Sequence, residues 1–234
     1  MLLRNKNLSL EELREKLGRE MMLRPPAEVY AYILRSVNDF ENGHFVQEGS
    51  APNFQGGFIT LCTCKHSMRS SRQVDSWAGN WIAGFTSHRV GENYLFCLMQ
   101  VKEAFESFRK LWYSDALTKR AKEAKSACIS PLRDLYRPSS TGNEFSSQSY
   151  AEPMVGHSHR WEENSKEWRN DITYQGRSGR RPALIVGDPE RSFLWSEPLI
   201  YFSKRSFRNH RRYSDLAKFL TDYLRPKPRK ALAA

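Results

Sequence analysis

Between residues 62 and 66 the chain reads Cys62-Thr63-Cys64-Lys65-His66, which puts two thiols, an amine and an imidazole within one short stretch. Thiolate and imidazole are zinc ligands, and along an extended strand Cys62, Cys64 and His66 would alternate onto one face. The spacing is Cys-x-Cys, however, whereas structural zinc sites close a knuckle on more widely spaced pairs, and no second ligand pair follows. No metal is expected. The same residues could serve covalent or proton-transfer chemistry. Cys64 lies beside the Lys65 cation, which lowers a thiol pKa, although neighbours on a strand point to opposite faces. Cys64, Lys65 and His66, with His157 and His159 of a polar loop, are the candidates for a nucleophile or an acid/base group.

A second chemistry uses the residues on either side. A flipped-out or single-stranded base needs ring faces to stack on, polar groups for its edge, and cations for its phosphates. Trp77, Trp81 and Phe85 offer the rings, and Asn53, Thr63 and Ser87 the edge readers. Lys65, Arg69 and Arg72 offer positive charge. Trp81 and Phe85 alternate with Ile82 and Gly84, so either ring alone also suits the core of a strand. No Walker A loop, Gly-x-Gly-x-x-Gly fingerprint or Gly-x-Ser-x-Gly elbow occurs, and no cofactor is expected.

These residues sit in a chain of 234 residues, long enough for one main domain with elaborations. Thirty-seven Lys and Arg against 26 Asp and Glu leave a formal net charge of +11, which favours a polyanionic partner, nucleic acid first. The charge is clustered. Arg177, Arg180 and Arg181 form one group, and Lys204, Arg205, Arg208, Arg211 and Arg212 form another, interleaved with Phe207, His210 and Tyr213. No apolar run of about 18 residues is present, and Arg4, Lys6, Glu11 and Glu12 occupy the place of a signal peptide's apolar core. A cytoplasmic protein with reduced cysteines is expected.

Positioning elements follow from local signals. Ser9-Leu10-Glu11-Glu12 matches a capping box, and Leu13, Leu17 and Met21 continue it as an amphipathic helix over residues 10 to 22 that packs on the domain or on a partner chain. Val29 to Leu34, Phe58 to Cys64, Trp81 to Thr86 and Tyr94 to Val101 read as strands. Ala104 to Trp112 begins a helix extending through Lys125. Residues 130 to 179 are poor in aliphatics and read as a long loop, with Trp161, Trp168 and Tyr174 arguing that part of it packs down. Pro182 to Val186 and Ser192 to Tyr201 read as strands separated by a turn at Gly187-Asp188-Pro189-Glu190, and Tyr213 to Leu224 as a helix.

Taken in order, Ala51-Pro52-Asn53-Phe54, Gly57 to Lys65, Gly79-Asn80-Trp81-Ile82-Ala83-Gly84 and Leu95 to Val101 resemble the second of the nucleotide modification associated domain families. Gly142-Asn143-Glu144-Phe145, the loop His157 to Arg160 and the segment Ala183 to Tyr201 resemble further parts of the same pattern. Cys62, His66 and Asn80 depart from it, replacing the alanine, proline and aspartate usual there. The Gly-x-Trp-Ile-x-Gly strand is also similar to the small barrels of the PUA, ASCH and YTH-like group.

The resemblance implies a domain over residues 27–203, an N-terminal helical extension over 1–26, and a basic C-terminal helix and tail over 204–234. The expected fold is α+β, a bent or barrel-like, mainly antiparallel and PUA-like sheet with helices at both termini. The expected function is recognition of nucleic acid, DNA above all, carrying a modified base, in a base-modification or anti-phage defence context. Asn53, Thr63, Trp77, Trp81, Phe85 and Ser87 would hold the base, and Lys65, Arg69, Arg205, Arg208, Arg211 and Arg212 the phosphates. Two alternatives stand beside it: an enzyme that installs, alters or excises a modified base, and a subunit that joins a second copy or a defence-complex partner through the N-terminal helix.

Overall fold

A computed structural model describes residues 5–21, 26–127, 132–153, 168–204 and 210–227. Its strands are β1 (Asn5–Lys6), β2 (Val29–Leu34), β3 (Val37–Glu41), β4 (His44–Gln47), β5 (Thr60–Leu61), β6 (Trp81–Thr86), β7 (Leu95–Phe105), β8 (Leu184–Leu194), β9 (Ile200–Phe202), β10 (His210–Tyr213) and β11 (Leu224–Pro226). Its helices are α1 (Leu10–Met21), α2 (His66–Arg69), α3 (Phe108–Tyr113), α4 (Lys119–Ser126), α5 (Trp168–Thr173) and α6 (Leu216–Lys218). The fold is α+β. It has two units, neither of them a continuous stretch of chain: the first takes Gln47–Asn80 and Met99–Ser192, the second the described parts of Asn5–Val46, Trp81–Leu98 and Phe193–Ala234. The long strands β7 and β8 give residues to both.

In the second unit the strands follow the order β1-β8-β7-β6-β2-β10. This path has two ends, so no barrel closes among the described residues. The pairing is mixed: β1 with β8 and β2 with β6 are parallel, while β10 with β2, and β5 with β8 in the first unit, are antiparallel. The apolar runs of β2 and β6 explain this, since strands buried on both faces need no polar alternation. Both bonds of the capping box form, Ser9 N–H to Glu12 Oε2 at 2.7 Å and Glu12 N–H to Ser9 Oγ at 3.2 Å. Leu10, Leu13 and Leu17 of α1 join Val29, Trp81, Phe85, Phe193, Trp195 and Phe219 in this unit's core, leaving Glu11, Glu12, Glu15 and Lys16 to solvent. The helix expected over Tyr213 to Leu224 is shorter, because Tyr213 pairs in β10 and Asp215 caps α6 before a π-turn over Phe219–Tyr223.

The first unit has its own core, in which Phe58, Cys62, Phe105, Phe108, Leu111, Tyr136, Tyr150, Trp168, Leu184 and Val186 are buried. Here β5 pairs antiparallel with β8, Thr60 opposite Val186 and Leu61 opposite Ile185. The helix expected to run from residue 104 through 125 is two helices, each started by its own side-chain cap: Ser107 Oγ accepts from Lys110 N–H, and Thr118 Oγ1 from Ala121 N–H. The expected turn at Gly187 to Glu190 is absorbed into β8. Asp188 does this locally, its Oδ1 accepting from Glu190 N–H and its carbonyl from Ser192 Oγ.

Helix α4 seats on the turn Gln55–Gly57, where Gly56 has φ of 72°. A Cβ on Gly56 would lie 2.6 Å from the Ala121 Cα, so both the backbone conformation and the space require glycine. Gly56→Ala is expected to cost at least about 1–3 kcal/mol through the left-handed backbone alone, measured as a lower urea midpoint at unchanged m.

Candidate functional site

The stretch 62–66 does not continue as a strand. After Leu61 the chain bends, and Cys64 and Lys65 take successive left-handed conformations with φ of 53° and 49°. Two adjacent non-glycine residues in that region carry strain, and such strain persists only where surrounding structure enforces it. Arg69 enforces it: its buried guanidinium donates from Nε to the Cys64 carbonyl at 2.9 Å and from Nη1 to the Ala183 carbonyl at 2.7 Å. The Lys65 carbonyl accepts from Met68 and Arg69 N–H, closing α2. Cys62, Cys64 and His66 therefore do not share a strand face.

The turn launches His66 toward α5. His66 Nε2 lies 2.8 Å from Asp171 Oδ1, and Tyr136 OH donates to Asp171 Oδ2 at 2.8 Å. The Asp171 side chain is 2% exposed and that of His66 is 21% exposed. With the Nε2–H donated to the carboxylate, Nδ1 carries the free lone pair, and it has no hydrogen-bond partner among the described residues. A buried carboxylate holding the tautomer of a half-buried imidazole is the arrangement that acid/base catalysis uses. Burial beside Asp171 holds the Tyr136 phenol well above its ordinary pKa, so it stays a donor. The Tyr136 ring is fixed by Phe108 at 4.7 Å and Trp168 at 5.6 Å between centroids, and the His66 ring stacks on Tyr174 at 4.6 Å and 19°. Beside Asp171 runs a shallow cleft lined in part by Ser107, Glu144, Phe145 and Arg181, far smaller than an ordinary ligand pocket.

The other expected residues fall elsewhere. Burial pushes the Cys64 thiol up to about 12, with Asp171 adding to the effect, so it is a poor thiolate. Lys65 stands at the turn, half-buried. Arg69 is fully buried and spent on backbone carbonyls, which removes it from phosphate contact in this conformation. Trp77 is fully buried, its Nε1–H directed at the Arg69 carbonyl at 3.3 Å. In the second unit, Phe85 packs edge-on to Phe202 at 5.4 Å and Phe219 at 6.2 Å, and Trp81 lies against Phe193 at 6.5 Å. A base could stack on these three rings only after a core opened. Thr63 is buried against Ser50 Oγ at 2.8 Å, and Ser87 lies half-buried in the second unit. Arg211 and Arg212 are exposed on β10, with Arg212 3.5 Å from Glu28. His157, His159, Arg205 and Arg208 lie outside the described residues.

Asn53 belongs to a network that the sequence did not announce. Lys125 Nζ, fully buried, donates to Asn53 Oδ1 at 2.7 Å, Thr60 Oγ1 at 2.8 Å and Phe58 O at 2.9 Å, with the Asn53 carbonyl sharing one of its protons at 3.2 Å. The Thr60 hydroxyl passes its own proton to Asp134 Oδ2 at 2.7 Å.

The sequence profile described as "Nucleotide modification associated domain 2" matches residues 27–171. The chain belongs to that family. Its matched span covers more than half of the chain and holds the left-handed turn, His66, Lys125, Asp134 and Tyr136, with Asp171 as its last residue. Neither a curated protein nor a solved structure matches the chain. Among the described residues no helix is long and apolar enough to cross a membrane. Membership of nucleotide modification associated domain 2 ties the chain to a nucleotide-modification context.

Proposed function

We propose that the protein acts on a base of a nucleic acid in a nucleotide-modification context, with His66 as the proton-transferring group. Asp171 orients and balances it, Tyr136 holds Asp171, and Lys65 supplies charge at the same turn. The observation that carries this reading is the 2.8 Å pair between a half-buried imidazole and a buried carboxylate, mounted on a strained turn. General acid/base groups so placed are worth about 10²–10⁴ in rate. The substrate is DNA, an expectation supported by the net charge of +11.

The test is to incubate the protein with plain DNA and with DNA carrying modified bases, digest to nucleosides, and analyse by mass. A changed or missing nucleoside is expected, lost or slowed about 100-fold or more in His66→Ala. Full turnover in His66→Ala removes His66 from the chemistry. Tight binding of modified DNA with every nucleoside unchanged favours the second reading, a recognition module in a base-modification or defence context, which the charge excess also supports.

A further inference from the structure

We propose that the loop from Tyr174 to Arg181 is the phosphate-holding segment of this site, and that Arg177 and Arg180 contact the phosphodiester on either side of the base presented to His66. This rests on His66 being the reacting group.

The loop is built as a rigid projection. Gly176 N–H donates to the Arg180 carbonyl at 2.8 Å and Gly179 N–H to the Gly176 carbonyl at 2.9 Å, while Gly179 takes φ of 74° to close the turn. It is seated beside the site, because a Cβ on Gly176 would come within 2.6 Å of Ser70 Oγ, at the C-terminus of the helix that His66 begins. Its first residue is the ring on which His66 stacks. The loop thus meets α2 at both its ends, at His66 and at Ser70.

Its charge is unbalanced and sorted by direction. Between Asp171 and Asp188 the sequence holds three arginines and no carboxylate. Arg181 turns inward, its guanidinium 3.8 Å from the Phe145 ring centroid and within 3.4 Å of the Ile172 carbonyl. Arg177 is exposed and makes no hydrogen bond, ion pair or ring contact among the described residues. Arg180 is held only through Nε, by Ser178 Oγ at 3.0 Å, and has no acidic partner among them. A solubility feature would need neither the fixed loop nor the inward partition of one arginine in three. A ring beside an exposed Arg177 and a half-buried Arg180, neither with an acidic partner among the described residues, suits a single strand with one unstacked base.

The experiment measures anisotropy of a labelled single-stranded oligonucleotide across a salt series, comparing wild type with Arg177→Ala/Arg180→Ala and with Lys119→Ala/Arg120→Ala, an exposed pair carrying the same charge. Each lost phosphate contact lowers the slope of log K against log salt by about 0.7 on a single strand. The loop variant is expected to bind several-fold more weakly with a slope lower by about 1.4, and the control to stay near wild type. Equal behaviour of the two variants overturns the assignment. A mononucleotide that competes in wild type but not in the loop variant, with no arginine effect on the oligonucleotide, assigns the same phosphate site to a free nucleotide instead. The two readings fail separately: affinity and slope are measured without turnover, so arginine-dependent binding is decided apart from conversion, which is scored by nucleoside analysis of His66→Ala.

Discussion

Replacing Lys125 with methionine is expected to destabilise the protein by about 3–5 kcal/mol, the cost of removing one partner from a buried ionic network. Methionine fills similar space but donates nothing. Asn53, Phe58 and Thr60 lose the ammonium, and the fully buried Asp134 carboxylate loses the charge reaching it through the Thr60 hydroxyl. Adding Asp134→Asn to Lys125→Met should recover part of the loss, because the uncompensated charge is then gone. Strict additivity of the two changes would show that the pair is not coupled. The same lysine gives a pH dependence. Burial pushes its amine down to about 8, with Asp134 and Cys62 pulling in the opposite direction. Below that value folded and unfolded chains both carry the proton and the desolvation penalty is complete. Between about 8 and the ordinary 10.5 the unfolded chain keeps a proton that the folded chain has released, so stability rises with pH. The lysine's own contribution is read as the difference between wild type and Lys125→Met, and that difference in urea midpoint should climb across the window, whereas the buried Cys62, Cys64 and Cys97 thiols, raised above their ordinary 9.0, pull both proteins the other way at its upper end.

The second large effect is expected at Asp171. Asp171→Ala leaves His66 Nε2 and the buried Tyr136 hydroxyl without their acceptor, costing about 1–3 kcal/mol for the hydroxyl alone, and lowers nucleoside conversion by the same 10²–10⁴ range expected for an acid/base group. Asp171→Asn separates the two losses. The amide keeps the volume and can accept from one neighbour, but when its NH₂ faces His66 the imidazole must place its proton on Nδ1, and the free base disappears. Near-wild-type melting with deep loss of conversion is the expected pattern. Full conversion by Asp171→Asn would mean that Asp171 does not set the tautomer.

Legibility followed distance along the chain. The Ser9/Glu12 box, β2 and β6 were readable because their signals lie within a few residues of one another. His66 was readable as a residue type, but its partner lies 105 residues away inside a stretch read as loop, with the buried Trp168 as the one local hint. The left-handed pair at Cys64 and Lys65 had no marker, since neither is glycine or asparagine and the strain is imposed by Arg69 from outside. Lys125 sits on a helix whose Lys119 and Arg120 face water and whose half-buried Lys122 donates to the Ser114 carbonyl, and nothing local distinguishes the fully buried one. Trp77, Trp81 and Phe85 stand out in the sequence as rings and lie buried, because whether a ring faces a core or a ligand is decided by the elements packed upon it.

The division of β8 between the two units has a consequence for synthesis. Thr60 waits for Val186 and Asn5 waits for Phe193, so each unit depends on a pairing whose halves are separated by more than half the chain. Contacts of that span are slow to form. A nascent chain would leave the ribosome with His66 already exposed but Asp171 and its sheet partners still to come, so the pair is assembled late, as one of the last products of folding rather than one of its starting points.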